Sequence, residues 1–238
     1  MLMIKTTTLK AILLTIVMCF MAFISKAQLG FNYSQYDIGV SGSINSVSGD
    51  TQTKTSTSSV NFSFGYNQSP FVNYVFEVQA GSLEGGNEYK DSTGRQFSNS
   101  FVSFIFRGQV QAGEFIDYSQ SPFANAMKNF YLSTGVGMVV NHLSTNRYSY
   151  LIPGLYTPGE DNSNEIFIPA RIGYEFKIFN QYGEPSVKID LAYQYNFVLG
   201  DELDGFKVGN NNDAYSQISL GVKFAIFSKT SYRKQITY

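Results

Sequence analysis

The two residues best suited to covalent chemistry in this chain are His142 and Ser144, which stand two positions apart. An imidazole can take the proton of a neighbouring hydroxyl and turn its oxygen into a nucleophile, and a carboxylate can orient the ring. His142 is the only histidine, and Glu160 or Glu165 could supply that carboxylate. The pattern defines a candidate serine nucleophile with its base, and its plainer interpretation is a polar histidine at the end of a strand.

Acidic residues in two segments form a second candidate site. Carboxylate-rich loops can bind Ca²⁺ through their oxygens, but the spacing of these acids matches no EF-hand loop, so a solvated acidic loop is the favoured interpretation. We therefore predict neither a metal nor a cofactor. The acids are Asp161, Glu165, Asp201, Glu202, Asp204 and Asp213.

The elements that must position these residues follow an export signal. Lys5 and Lys10 precede an apolar run over 11–24, and Ser25-Lys26-Ala27 has the small-x-small pattern of a cleavage site. The run is too short to cross a membrane comfortably as a helix. We expect a signal peptide over 1–27.

The composition excludes several classes of protein. The single cysteine, Cys19, falls inside the predicted signal, so the exported chain has neither a disulfide nor a thiol nucleophile. A formal net charge of −1 gives no basic footprint for nucleic acid. With 16% aromatic residues, 15% charged residues and 21 glycines against 6 prolines, the chain suits strands that face lipid.

The exported chain alternates apolar and polar residues in eight segments, and no stretch shows a convincing helical stripe. The clearest segment puts Leu191 and Tyr193 on one face and Asp190 and Gln194 on the other. This pattern predicts one all-β domain. The predicted strands are 35–45, 57–67, 71–83, 98–112, 130–143, 165–179, 186–200 and 214–227.

Every charged residue within these strands falls on the face opposite the apolar one. A soluble sandwich would turn that polar face outward, whereas a membrane barrel turns its apolar face to lipid. The interior of an eight-stranded barrel is just wide enough for side chains to fill it, so we expect these charges to pair and plug the lumen. An ion-conducting path is the alternative. The predicted lumen network is Asp37, Glu77, Arg107, Arg171, Glu175, Lys177, Lys188, Asp190 and Lys223.

The lengths of the connections alternate as in an outer-membrane barrel. Connections one, three, five and seven are long and polar, while connections two and six are short. The long ones are about 46–56, 84–97, 144–164 and 201–213, and the short ones are 68–70 and 180–185. Short periplasmic turns, long outer loops and periplasmic termini fit this parity. Connection four, 113–129, breaks it, and Ser121 followed by Pro122 predicts a short helix there.

Several motifs extend this likeness. They are Gly135-Val-Gly137 in the fifth strand, Pro169 in the sixth, Asp201-Glu-Leu-Asp204 after the seventh and Asp213-Ala-Tyr215 before the eighth. With them the chain resembles the small Gram-negative outer-membrane β-barrel family of the outer membrane protein A transmembrane-domain type. The resemblance implies contact with outer-membrane lipid and lipopolysaccharide, and envelope protein partners bound through the outer loops or the C-terminal tail. Some Gram-negative barrel proteins with these motifs are accessory parts of secretion machinery.

The C-terminal strand also carries the resemblance. Ile218 to Phe227 is similar to the assembly signal of such barrels, with alternating apolar residues that end in an aromatic one. We predict a signal peptide over 1–27, a barrel over 28–227 and a short basic tail over 228–238.

These observations predict an eight-stranded antiparallel transmembrane up-and-down β-barrel of the cell outer membrane. We expect a structural, anchoring or accessory-subunit role, with no catalysis and no nucleic-acid partner. A porin-like small-solute channel is the alternative, and a lipid A-modifying enzyme that uses His142 and Ser144 is less favoured. Lipid A deacylases carry His-x-Ser with a downstream glutamate, but Thr145 replaces the asparagine that follows the serine in that family.

Overall fold

Eight strands form where the sequence alternates, and each pairs antiparallel with the next. The last strand also pairs with the first and closes the sheet into a barrel. Closure leaves no unpaired sheet edge, so the wall satisfies its own backbone hydrogen bonds. The predicted up-and-down barrel is confirmed. The strands are β1 (Gly30–Ser48), β2 (Ser56–Asn67), β3 (Val72–Gly86), β4 (Gln96–Gln111), β5 (Phe130–Asn146), β6 (Asn162–Phe179), β7 (Pro185–Val198) and β8 (Ala214–Arg233).

The computed structural model describes residues 30–233 except 50, 52, 93, 120, 150 and 208–212. The predicted signal peptide and residues 234–238 of the predicted tail lie outside the described residues. We call the end of the barrel with connections two, four and six (68–71, 112–129 and 180–184) periplasmic, and the opposite end outer.

Connection four contains the helix α1 (Pro122–Met127), which follows a 3-10 turn over Ala112–Glu114. Ser121 is extended, and its hydroxyl oxygen accepts the N–H of Ala124 at 3.1 Å. Pro122 lies in the first turn, where its missing N–H costs nothing. The predicted helix and its N-cap are confirmed. None of the helices in the described part of the chain has the length and apolar character needed to cross a bilayer.

The predicted end of the barrel at Phe227 is wrong, because β8 continues to Arg233 and pairs with β1 over this stretch. Phe227 has a φ of 60°, and the pairing register shifts opposite it, between Ser34 and Tyr36. Such a bulge adds one residue to one strand and changes the face that later side chains take. The alternation therefore breaks although the strand goes on, and 228–233 belong to the barrel.

Side chains along each strand alternate between the interior and the outer surface. In β7, Leu191 is 47% exposed, while Asp190 and Gln194 are 3% and 0% exposed. A one-residue slip would have reversed these faces. The predicted orientation of this strand is confirmed, and its polar side chains lie inside the barrel.

Candidate functional site in the barrel interior

The nine charged residues of the predicted network all lie inside the barrel, and none is more than 8% exposed. They stand at inward positions of their strands. Five ion pairs join eight of the nine within the interior. The nitrogen–oxygen distances are 2.8 Å for Arg107–Glu77, 2.9 Å for Arg171–Asp190, 2.6 Å for Lys188–Asp37, 2.6 Å for Lys223–Glu175 and 3.2 Å for Lys223–Asp190.

Arg171 is held on three sides. Its Nη2 donates to Asp190, its Nε donates to the hydroxyl of Tyr131 at 2.9 Å, and its Nη1 donates to Gln194 at 3.3 Å. The Tyr131 hydroxyl in turn donates to Asp190 at 2.7 Å. The guanidinium therefore has partners in three directions, which offset much of the cost of burying its charge.

Glu175 is the centre of a second group of contacts. Its carboxylate accepts hydrogen bonds from Lys223 at 2.6 Å, Gln111 at 2.5 Å and Gln109 at 3.2 Å. Lys177, the ninth residue, donates to the side-chain oxygen of Gln111 at 2.7 Å and to the carbonyl oxygen of Pro70 at 2.9 Å. Amides thus extend the network beyond the charged residues that the sequence singled out.

A group of aromatic rings, the periplasmic aromatic cluster, lies at the periplasmic end of the interior. Phe71 is fully buried, and its ring centroid lies 5.5 Å from that of Tyr118 and 5.8 Å from that of Tyr232. The rings of Tyr33 and Tyr232 meet edge to face at 6.5 Å. The ammonium of Lys177 lies 5.0 Å from the centre of the Phe71 ring, which joins this cluster to the polar network.

Apolar side chains form a group in the outer half of the interior, among buried amides such as those of Asn99 and Asn141, and the sequence analysis missed this group. The available signal was a run of consecutive apolar residues in several strands, such as 104–106 and 166–168, because such runs place apolar side chains on both faces. We call this group the outer apolar cluster. Its members are Val47, Leu83, Phe97, Phe101, Ile105, Val139, Leu143, Phe167, Val198, Leu203, Phe206 and Tyr215.

Two members of that cluster come from connection seven (199–213), whose described residues 199–207 fold into the outer mouth. Leu203 and Phe206 are fully buried. The Asp213 carboxylate accepts the N–H of Leu203 at 3.0 Å, and the side-chain amide of Asn99 donates to the Leu203 carbonyl at 2.9 Å. Asn99 of β4 and Asp213 at the end of the connection therefore hold Leu203 by its backbone.

The expectation of a solvated acidic loop is wrong for Asp204 and Asp213, which are 0% and 2% exposed. A Cβ on Gly49 would lie 2.6 Å from Oδ1 of Asp213 and 2.7 Å from Oδ2 of Asp204, so the two carboxylates face the same point. Burial of the neighbouring Leu203 and Phe206 places these two acids inside the barrel. Among the described residues, no group of three or more His, Cys, Asp or Glu side chains is arranged to hold a metal ion.

The packing of residues 203–206 of connection seven in the outer mouth should become less stable as the pH rises. Burial, followed by the charge of Asp204, raises the pKa of Asp213 to about 8. The closed loop therefore binds this proton more tightly than an open loop would, and that stabilisation is lost as the pH rises through about 8. Hydrogen exchange at the Leu203 and Asp204 amides, corrected for its intrinsic rate, should be faster at about pH 9 than at about pH 6. Asp204→Asn should reduce the difference, and equal protection of the wild type at both pH values would contradict the prediction.

Two cavities within the polar part of the interior are small. Each has a volume of about 10 Å³, which is room for a single water molecule. Asp37, Glu175 and Lys223 border one, and Lys177 and Lys188 border the other. A bound water in either would have charged partners.

The candidate pair His142 and Ser144 lies elsewhere, on the outward face at the outer end of β5. The Nδ1 of His142 lies 2.7 Å from the side-chain oxygen of Asn162. Glu160 pairs with Lys207 at 3.3 Å, and the carboxylate of Glu165 lies against Gly200. Neither predicted carboxylate meets the imidazole, whose partner is an amide that the sequence analysis did not consider.

The outer surface of the wall is apolar in every strand. A water-soluble protein buries most such side chains and exposes its charges, and this barrel does the reverse. A closed barrel with an apolar outside and a polar network inside is suited to lipid. The protein is an outer-membrane β-barrel. Exposed members of its apolar belt are Ile38, Val40, Phe62, Phe64, Phe76, Phe104, Phe106, Leu132, Met138, Ile168, Ile172, Leu191, Phe197, Leu220 and Phe224.

Tyrosines mark the periplasmic edge of this outer-membrane barrel. The ring of Tyr66 lies 5.6 Å from that of Tyr36 and 6.4 Å from that of Tyr74. Aromatic girdles of this kind sit at the interface between lipid and water. They indicate where the belt ends.

No protein-family model matches the sequence, and no curated protein sequence matches it. Among solved structures, the barrel is similar to Neisserial surface protein A, with 17% identity and a TM-score of 0.42 over 82% of this chain and 99% of that one. It is similar to Ail, the attachment invasion locus protein of Yersinia pestis, with 11% identity and a TM-score of 0.44 over 83% and 99%. It is also similar to OprG from Pseudomonas aeruginosa, with 11% identity and a TM-score of 0.34 over 83% of this chain and 99% of that one.

Proposed function

We propose that this outer-membrane barrel is a structural, anchoring or accessory component of the cell envelope whose interior does not conduct. The observation that carries the proposal is the set of buried side chains that the described residues turn into the interior. The periplasmic aromatic cluster, the ion-pair network and the outer apolar cluster follow one another from end to end. Connection seven adds Leu203 and Phe206 at the outer mouth.

The paired charges argue against a path for ions. A conducting pore needs water around its charged groups, whereas the cavities beside Glu175 and Lys177 hold about one water each. A permeating ion would have to separate at least one buried pair, such as Arg171–Asp190. Breaking a buried pair costs about 3–5 kcal/mol. We therefore infer that the interior ion pairs stabilise the folded barrel and do not form an ion path.

Conductance measurements test this proposal. The folded wild-type protein, added to a planar lipid bilayer, should give no stable conductance steps, because side chains that fill the interior, as proposed, would leave no continuous path for water. A boiled sample serves as the control for leakage caused by detergent or unfolded chain. Reproducible open steps that require the folded protein would contradict the proposal and favour a porin-like channel.

The proposal includes no catalysis at His142 and Ser144. Nucleophilic catalysis by a serine needs a base within hydrogen-bond reach and a third group that orients the base. His142 has Asn162 as a neighbour of its Nδ1, but its exposed position at the rim is that of a polar residue between strand and loop. We infer that this histidine is a polar residue at the outer edge of the apolar belt and has no catalytic role.

Partner binding, in this proposal, belongs to the outer connections, while the belt contacts outer-membrane lipid and lipopolysaccharide. Connection five (147–161) supports it best, because Tyr148 and Tyr156 pair as a β-bridge with ring centroids 5.1 Å apart. Leu151 and Ile152 are exposed between them, 48% and 46%. Apolar side chains exposed together beyond the belt are typical of protein interaction sites.

A further inference from the structure

Helix α1 lies on the lipid side of the wall, although its connection starts and ends at the periplasmic mouth. The side chain of Tyr174 stands at an outward position of β6, and its hydroxyl donates to the carbonyl oxygen of Ala126 at 2.7 Å. The ring of Phe130, which is exposed, has its centroid 6.3 Å from that of the half-buried Tyr174 ring. The helix is therefore fixed at the periplasmic edge of the apolar belt.

The polar side of this segment faces the protein. Asn125, Lys128 and Asn129 are 3%, 8% and 7% exposed, and the Lys128 ammonium lies 4.9 Å from the centre of the buried Tyr118 ring. A helix on a protein in water turns such residues to solvent and its apolar face to the core. The segment reverses this arrangement, as the strands of the barrel do.

The apolar side of the segment faces away from the protein. Phe123 is 73% exposed, and Met127, which is half-buried, follows it one turn later on the same face. Phe130 and Tyr174 continue this surface into the belt. An apolar helix face that continues into a lipid-facing wall has lipid as its nearest covering.

We propose that α1 is an interfacial anchor whose Phe123 and Met127 insert into the periplasmic leaflet of the outer membrane. The partner is the phospholipid surface at the boundary between headgroups and acyl chains, where amphipathic helices bind with their apolar face down. The anchor fixes the depth of the barrel at its periplasmic edge. It explains why connection four is long although it joins strands at the end with short turns.

The absence of tryptophan from the sequence makes a direct test available. Phe123→Trp places a single tryptophan at the tip of the anchor in the full-length barrel, which is folded into phosphatidylcholine vesicles whose chains carry bromine at a shallow or a deep position. Tyr89→Trp, at a side chain that is 74% exposed in an outer connection, is the aqueous control, and Leu191→Trp is the control within the belt. Unboiled gel migration verifies that each variant is folded.

The Phe123→Trp emission should be shifted to the blue of the Tyr89→Trp emission and should be quenched most by the shallow bromines. Leu191→Trp should be quenched most by the deep bromines. Emission and acrylamide quenching equal to those of Tyr89→Trp would overturn the proposal, because the helix would then face water. A blue-shifted emission without bromine quenching would also overturn it, because protein would then cover the helix. If Phe123→Trp does not fold, Met127→Trp on the same face gives the same discrimination.

Discussion

Replacing Glu175 by alanine should lower the free energy of unfolding of the barrel by about 3–5 kcal/mol, because it leaves a buried cation without its nearest counter-charge. Lys223 lies 2.6 Å from this carboxylate and would keep only Asp190, at 3.2 Å. Gln109 and Gln111 would lose the acceptor that they share. The loss can be measured by unfolding in urea, with the folded fraction read from the migration of unboiled samples.

Glu160→Ala provides the matched control for this substitution. Glu160 also pairs with a lysine, Lys207, at 3.3 Å, but both side chains are about half exposed. Exposed pairs of this kind contribute little, so this variant should unfold at nearly the wild-type urea concentration. Equal losses for Glu160→Ala and Glu175→Ala would mean that water reaches the interior, and the account of a filled barrel would be wrong.

Leu191→Arg should sharply reduce the yield of folded barrel. Leu191 lies near the middle of β7, faces outward, and pairs with Tyr174 and Leu220 in the neighbouring strands. An arginine on the lipid face at the bilayer midplane costs roughly 2–4 kcal/mol. Folding into lipid vesicles, followed by gel shift across a range of urea concentrations, measures the loss.

Ser100→Arg is the control for charge at another depth. Ser100 is also exposed on the outer surface, but it stands near the outer end of β4, beyond Val102 of the belt. The same arginine at this level can extend its guanidinium to the headgroups, where the cost falls to about 0–1 kcal/mol. Similar folding of both variants would show that depth has no effect, and the outer surface would then not face lipid.

The sequence could predict the wall because the information in a strand is local. Alternation with a period of two decides which side chains share a face, so Leu191 and Gln194 could be assigned to opposite faces from their positions alone. The N-cap of α1 is equally local, since Ser121 and Pro122 act within one turn. A closed barrel then follows from eight strands with one apolar face each.

The pairing of the interior charges could not be predicted in the same way. Lys188 of β7 reaches Asp37 of β1, and Lys223 of β8 reaches Glu175 of β6, so both pairs join strands that are not neighbours. Which residues meet across the interior depends on the stagger of the strands around the closed sheet. No local pattern in the sequence encodes that stagger.

Connection seven and the end of β8 were missed for other physical reasons. The acids at Asp204 and Asp213 suggested a solvated loop. Burial of Leu203 and Phe206 in the outer apolar cluster is favourable, and it outweighs the cost of burying the two carboxylates. At Phe227 a bulge changes the phase of the alternation. In both places a tertiary contact overrides a local pattern.

Contacts between lipid and side-chain methyl groups report which face of the wall meets the bilayer and which face lies in the interior. The barrel, with labelled Ile, Leu and Val methyl groups, can be placed in lipid nanodiscs and its NMR cross-peaks to acyl chains and to water recorded. Leu191 and Ile168 should show cross-peaks to the acyl chains, whereas Ile105 and Val139 of the interior should show none to lipid and none to bulk water. Cross-peaks from Ile105 or Val139 to acyl chains or to bulk water, or from Leu191 to water alone, would contradict a filled barrel whose wall faces lipid.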